Sequence, residues 1–302
     1  MDRLDRYKVF IQVAEMGSFI RAAHALAIPR ASVSAAIHLL ESQLGTRLLH
    51  RTTRKVSLTP DGLVFLARVR GLLSAAQDLE QMFHDNQIRV RGRLNIDVPN
   101  RIARRLLAPA LPALLQKYPE LQLSLGANDR AINLVQEGVD CAIRVGALAD
   151  SSLVVRALGY LEIINCASPV YLAEHREPRT IEELTHDHLC IGYGGSCAGH
   201  EQLWEYLHHG ELDHLSLPCR VMVNNAESYI ACCLAGIGLI QIPRFDVQHL
   251  LDSGQLQEVL PAFRPKPMPI SLVYPHRYQR SHRLHVFMEW FEALIESHVI
   301  RR

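Results

Sequence analysis

The chain has 302 residues, nearly half of them apolar, with 32 Lys and Arg against 31 Asp and Glu. That length implies two or more folding units with material for a sizeable core, and the balance of apolar and charged residues is that of a soluble globular protein. No apolar run reaches the roughly eighteen residues of a membrane span; the nearest, residues 229–243, is broken by Gly236, Gly238 and Gln241, so no membrane partner is expected.

The N-terminus, MDRLDRYK, mixes charges of both signs and has no apolar core segment. No export signal is visible, and the cytoplasm is the expected compartment. The seven cysteines are an odd number, all from residue 141 onward. They read as reduced, mostly buried thiols rather than a disulfide framework, with a redox role for one of them left open. Charge is unevenly spread. The first sixty residues hold nine Lys or Arg and four acids, while the whole chain is only +1. A basic head on an acidic body suits a protein that meets phosphates with one end.

Leu4, Tyr7, Phe10, Ile11 and Ala14 space an opening helix that ends before Gly17. Ser18 stands at an N-cap, and Phe19, Ala22, Ala23 and Leu26 give the next helix one apolar face, whose alanines permit close approach of a crossing helix. Pro29 stops that helix and biases Ile28 toward extended backbone, so the turn is short. In the third segment Val33, Ile37, Leu40 and Leu44 form the expected buried stripe, leaving Arg30, Ala31, Ser34, Ala35 and His38 outside. A carboxylate-free outer face on a helix held from behind is what a major groove admits, although the same packing occurs in helical bundles that bind no nucleic acid.

After Gly45, the alternation of Leu48 and His50, then Val56 and Leu58, predicts a small hairpin around Arg51, Arg54 and Lys55. Such a wing would carry cations to phosphates or the minor groove; a merely solvated charged turn is the alternative. Thr59, Pro60 and Asp61 then read as N-cap, first helical residue and an acid at the positive helix end. Leu63, Leu66, Val69, Leu73, Ala76, Leu79 and Phe83 keep helical spacing for about six turns with no small domain expected to cover them, so pairing with a second copy is the economical way to bury the stripe.

Phe10, Val13, Gly17, Ser18, Phe19, Ala22, Ala23, Leu26, Val33, Ser34, Ile37, Leu40, Glu41, Leu44, Gly45, Leu48, Arg51, Leu58, Thr59 and Gly62 stand in the order and spacing of the LysR-type transcriptional regulators, and the chain resembles that family. The resemblance implies a winged helix-turn-helix at residues 1–59, a dimerising linker helix at 60–88, and an effector-binding domain at 89–302. It implies double-stranded promoter DNA as partner, a homodimer that usually doubles to a homotetramer, a small-molecule effector, and no enzymatic activity, cofactor or metal. One departure stands out: Ala35 and Ala36 occupy positions where many members carry a long polar residue after the serine. Base reading would then lean on Arg30, Ser34 and His38, with DNA shape supplying more of the specificity.

From Gly92 the texture becomes α/β. Strands are expected at 94–98, 121–125 and 139–145, and helices at 101–117 and 132–137, giving a mainly parallel sheet. A second set follows: strands at 162–166, 189–193 and 239–242, a helix opened by Ser168-Pro169, a capping box at Thr180 to Glu183, and a helix at 224–235. A strand at 270–274 and an amphipathic helix from His282 close the chain. Two α/β lobes with a cleft between them follow, lobe 1 near 92–164 plus 268–302 and lobe 2 near 165–267. This is similar to the family's effector domain and to type 2 periplasmic solute-binding proteins.

Ligands of such sheets sit beyond strand carboxyl ends and at helix N-termini. Pro99, Asn100 and Arg101, then Arg144 and Gly146, then Asn224, Asn225 and Ala226 fit that rule, and the resemblance places effector contacts in the same segments. If the cleft closes on a small carboxylate, these are the groups expected to touch it, although effectors differ so widely within the family that their chemistry does not transfer; plain helix capping is the alternative for each polar residue. Three patterns hint elsewhere. Gly195-Ser196-Cys197-Ala198-Gly199 has the form of a nucleophile elbow, which would make the chain a small hydrolase using Cys197, but a Gly-rich loop explains it. Gly236-Ile237-Gly238 follows a helix and precedes a strand, the reverse of a dinucleotide loop. His186, His188, Cys190 and Cys197 could be drawn into a metal site. A cytoplasmic solute-binding protein is the other alternative, and the basic head speaks against it.

Overall fold

In the computed structural model, residues 1–51, 56–81, 90–130, 132–148, 153–194, 201–275 and 281–301 are described. The first helix, α1 (Arg3–Met16), starts on a reciprocal cap: the Asp5 N–H donates to Asp2 and the Asp2 N–H to Asp5. It ends at Gly17, whose φ of +58° is a left-handed turn that glycine adopts without strain. Ser18 caps α2 (Phe19–Ala25) by accepting from the Arg21 N–H, and Pro29 precedes α3 (Arg30–Leu44). The strands β1 (Leu49–Arg51) and β2 (Val56–Leu58) pair antiparallel with Leu49 opposite Leu58, so the hairpin expected from the alternation is present; its tip, residues 52–55, lies outside the described residues. The Glu41 carboxylate accepts the N–H groups of Leu48 and Leu49 at 3.0 and 3.1 Å and thereby ties the end of α3 to the start of the wing.

Helix α4 (Pro60–Gln81) opens as the Thr59-Pro60-Asp61 pattern predicts, with the Gly62 N–H donating to Thr59 Oγ1 at 2.9 Å. The helix runs so close to the chain before β1 that a Cβ on Gly62 would lie 2.0 Å from the Leu48 carbonyl oxygen. Two expectations change here. The α4 stripe is partly covered: Leu66 and Val69 join the head's core, Leu73 packs against it, and Phe65 beside the stripe packs edge-on against Tyr7 and Phe10, while Leu63 of the stripe and its neighbours Val64 and Leu72 stay exposed. In α3 the buried set is Val33, Ala36, Ile37 and Leu40; Leu44 is 39% exposed because it lies one turn past the end of that core. Each large side chain buried there contributes about 1.5–3 kcal/mol.

The sensor begins with β3 (Gly92–Val98), followed by α5 (Asn100–Ile102), a π turn (Ala103–Leu107) and α6 (Ala108–Lys117). The uniform helix expected at 101–117 is therefore interrupted, and Pro109, which has no N–H for the Arg105 carbonyl four residues back, stands where the regular ladder would resume. Then come β4 (Leu121–Ala127), α7 (Leu134–Glu137), β5 (Cys141–Val145) and β6 (Leu153–Leu161). After Glu162 the chain enters lobe 2: β7 (Ile163–Ala167), α8 (Pro169–His175), α9 (Ile181–Asp187), β8 (Cys190–Tyr193), β9 (Glu201–His208), β10 (Glu211–Val223), α10 (Ala226–Leu234), β11 (Ile240–Pro243), α11 (Arg244–Asp252) and β12 (Gln257–Glu258). It returns through Pro265 to Pro267 to β13 (Met268–Pro275) and closes with α12 (His282–Ile295).

Lobe 1 is a five-stranded sheet in the order β4-β3-β5-β13-β6. The first three strands are parallel as expected, but β13 runs antiparallel between β5 and β6, so the sheet is mixed. The return from lobe 2 brings the last strand in the opposite direction. Lobe 2 holds two three-stranded sheets, β8-β10-β9 and β11-β7-β12, in which only β8 and β10 are parallel. The long β9–β10 hairpin and α11 have no counterpart in the expected elements. At the two crossings between lobes, Glu162, Arg244, Glu258 and Arg264 form a closed ring of alternating charge with contacts of 2.5 to 2.8 Å. Gly236 ends α10 at φ +79°, and a Cβ on Gly238 would press on the Leu189 carbonyl at 2.7 Å, which confirms helix termination and close backbone approach at that pair of glycines.

Candidate nucleic-acid interface and effector cleft

The head presents α3 edge-out. Val33, Ala36, Ile37 and Leu40 are buried to between 0 and 3% exposure, while Arg30, Ala31, Ala35 and His38 on the other side are exposed and Ser34 is half-buried. The side chains of Arg30, Ser34 and His38 bond to none of the described residues. Ser18 is occupied as the cap of α2, its hydroxyl 3.4 Å from the Arg21 nitrogen. Arg51 contributes its backbone to the wing ladder opposite Val56; Arg54 and Lys55 lie outside the described residues. The geometry is that of a helix held by its apolar side with a small, unpaired polar side turned outward, which a major groove can accept.

The cleft between the lobes is built differently, for its arginines and two of its helix-start N–H groups already have intramolecular partners. Asn100 and Ala226 open helices on opposite lobes, and their N–H groups both donate to one carboxylate, that of Asp129 in the loop after β4, each at 2.8 Å. Arg101, 5% exposed, reaches from lobe 1 into lobe 2, where Nη1 meets Glu227 at 3.0 Å, Nε lies 3.5 Å from the Asp246 carboxylate, and Nη2 donates to the Asp246 carbonyl. Arg104 meets the other Glu227 oxygen at 3.3 Å. Burial pushes the Asp246 carboxyl up to about 7 against the pull of Arg101. Glu227 also feels burial, yet the hydrogen bond and charge of Arg101, followed by Arg104, hold its carboxyl below the usual range. Arg144, at the end of β5, pairs with the buried Asp97 at 2.9 Å, and Asp97 also accepts from the Asn128 amide at 2.7 Å. Tyr193 lies against Tyr229, and burial, then Asp129 and Asp246, push its hydroxyl up to about 12.

Residues 4–63 match the bacterial regulatory helix-turn-helix protein family named for LysR, and residues 87–295 match the LysR substrate binding domain. The chain belongs to the LysR family. It is accordingly a DNA-binding transcriptional regulator with an effector-binding domain. It is 39% identical to the HTH-type regulator YhjC of Escherichia coli (strain K12), over 99% of this chain and all of that one. A transcriptional repressor of Pseudomonas aeruginosa (strain UCBPP-PA14) is 34% identical over 97% of this chain and 92% of its own. The solved structure of CrgA, a LysR-type regulator from Neisseria meningitidis, aligns with a TM-score of 0.60 at 32% identity, covering 97% of this chain and 98% of that one.

In this LysR-type regulator the three segments chosen for effector contact converge only in part. Asn100 and Ala226 meet through Asp129. Arg101 does not face open space but is spent on Glu227 and Asp246, and Arg144 is spent on Asp97. Pro99 and Asn225 act as N-cap residues, Asn225 by accepting from the Ser228 N–H at 2.9 Å; Asn224 is exposed, and Gly146 turns at φ +98° with its N–H on the Pro269 carbonyl. Asp129, Tyr193, Glu227 and Asp246 were not singled out from the sequence. Asp129 follows a strand as Asn100 and Arg144 do, so the rule of strand carboxyl ends extends to it; Asp246 sits on α11, a helix whose start has no cap signal. Residues 195–200, with the elbow-like Cys197, lie outside the described residues, and His188 is buried with its Nδ1 3.2 Å from the Tyr171 hydroxyl. No described helix is long and apolar enough to cross a membrane.

Proposed function

We propose that this regulator reads its operator with the outer face of α3, Arg30, Ser34 and His38 contacting base edges and Arg51, Arg54 and Lys55 contacting the DNA backbone. The observation that carries this reading is the division of α3 into a buried side and a side whose Arg30, Ser34 and His38 side chains bond to none of the described residues. Two copies pair through exposed apolar residues of α4, Leu63 of the stripe with Val64 and Leu72 beside it, and pairs of dimers give a tetramer on a bent promoter. The effector is a small carboxylate bound between the lobes in the region of Asn100, Gly146, Asn224 and Ala226. It favours one degree of lobe closure, and that differential affinity shifts the spacing of the paired heads. The chain works in the cytoplasm and performs no catalytic step.

Replacing Ser34 by Glu places a carboxylate where a phosphate-rich groove must approach. The expected result in a gel-shift with promoter DNA of the native locus is loss of binding by about 100-fold or more, with unchanged melting temperature and oligomer size. Full affinity in Ser34→Glu would overturn the assignment of α3. The wild type should also lose affinity steeply with salt as phosphate contacts release counterions.

A further inference from the structure

Most polar groups of the cleft are explained by pairing within or across the lobes, but Asp129 is not. It is half-buried, and among the described residues no arginine or lysine forms an ion pair with it. Its charge is answered by two backbone N–H groups, each at the start of a helical run, one continuous from Asn100 to Lys117 through the π turn and one from Ala226 to Leu234. Each of its oxygens serves a different lobe. A carboxylate bridging two positive helix ends is the arrangement a bound anionic ligand would adopt, and here the anion is supplied by the chain itself.

We propose that Asp129 is a tethered competitor: its carboxylate occupies the seat of the effector's carboxylate and clasps the lobes while the effector is absent. This rests on the effector-cleft reading above and adds how the site is regulated. A ligand must displace Asp129 before it can use the Asn100 and Ala226 N–H groups, so its measured affinity is lower than its intrinsic affinity by the fraction of molecules in which the seat is vacant. Arg101, which ties lobe 1 to Glu227 and Asp246, keeps the lobes from separating when the Asp129 contact breaks. Release of Asp129 therefore loosens the front of the cleft and leaves the Arg101 side held. The loop that carries Asp129 is anchored by Asn128, whose N–H donates to the Val98 carbonyl at 2.9 Å and whose amide donates to Asp97. Movement of Asp129 is thereby registered at the end of β3, next to Asn100.

The test is chemical rescue in the full-length protein. Asp129→Ala removes the carboxylate and leaves space for formate. Amide hydrogen exchange should quicken at Asn100 and Ala226 by about tenfold or more, and sodium formate, but not sodium chloride at equal ionic strength, should slow it again. Asp129→Asn retains one acceptor and should give an intermediate increase. Exchange within residues 94–98, in the core strand β3, is the control for folding and should not change. Unchanged exchange at Asn100 and Ala226 in both variants would overturn the clasp and leave the effector-cleft reading standing. Faster exchange that formate fails to reverse would support the clasp but overturn the carboxylate seat on which the effector reading depends.

Discussion

The two surfaces proposed to work in this regulator are opposites in how their polar groups are used. On α3, Arg30, Ser34 and His38 have no side-chain partner among the described residues, and the helix is held by apolar contacts behind it and by Glu41 on the Leu48 and Leu49 N–H groups. In the cleft, Asn100, Arg101, Arg144 and Ala226 all have intramolecular partners before any ligand arrives. A surface that must meet a partner carrying charge in every sequence can afford bare donors, because water satisfies them until DNA replaces it. A cleft that must change shape on binding needs internal contacts whose loss or exchange is the signal.

This contrast can be broken most sharply at Arg101. Replacing it with Met leaves Asp246 and Glu227 without their buried cation, and breaking such a pair costs about 3–5 kcal/mol. A chemical-denaturation curve should show the sensor destabilised while the helical content of the head is retained; equal loss in both regions would erase the distinction. Next in size is the pH dependence contributed by Asp246. Its folded-state value is raised from 3.8 to about 7, so the native state holds a proton that the unfolded chain has already released. Stability from this group is therefore full below about pH 4 and declines as pH rises toward 7, by on the order of a few kcal/mol. Asp246→Asn should flatten the stability profile across that window, and an unaltered profile would mean that Asp246 stays ionised beside Arg101.

A smaller effect is expected at Gly62. Alanine there would drive its Cβ into the Leu48 carbonyl, 2.0 Å away, and separating α4 from the wing should cost about 1–3 kcal/mol. The loss should appear in the melting of the head and in DNA affinity together, since the wing hangs from that contact. Smallest is Arg30→Ala. It should weaken operator binding by about 1–3 kcal/mol if Arg30 reaches a base edge, or lower the salt slope by about 1 if it reaches a phosphate. In either case thermal stability should not move, because the guanidinium is exposed and bonds to none of the described residues.

Much of the head was legible from residue order. Caps at Ser18 and Thr59, the stop at Pro29, and the spacing of Val33, Ile37 and Leu40 are local signals, and the helices they announce are those present. Leu44 departs from the stripe because periodicity reports which side of a helix is apolar, not how far the neighbouring core extends. In the sensor, the parallel strands β3, β4 and β5 were likewise readable, but the antiparallel insertion of β13 between β5 and β6 joins segments more than a hundred residues apart. The β9–β10 hairpin was hidden for another reason: it turns on His209 and Gly210, both at positive φ, rather than on the Asn-Gly or Asp-Gly pair that announces such turns.

What residue order determined by itself was the set of helices in the head, the side of α3 turned away from the head's core, and the strand ends and helix starts proposed to hold an effector. All of these follow from interactions within about one turn of helix or one strand, where spacing along the chain equals spacing in the molecule. Only the tertiary structure decided that Arg101 belongs to Asp246 and Glu227, that Arg144 belongs to Asp97, and that Asp129 joins two helix ends from different lobes. Charges and backbone donors pair with whatever opposite group lies within about 3 Å once the chain has folded, and no local pattern records which distant group that will be.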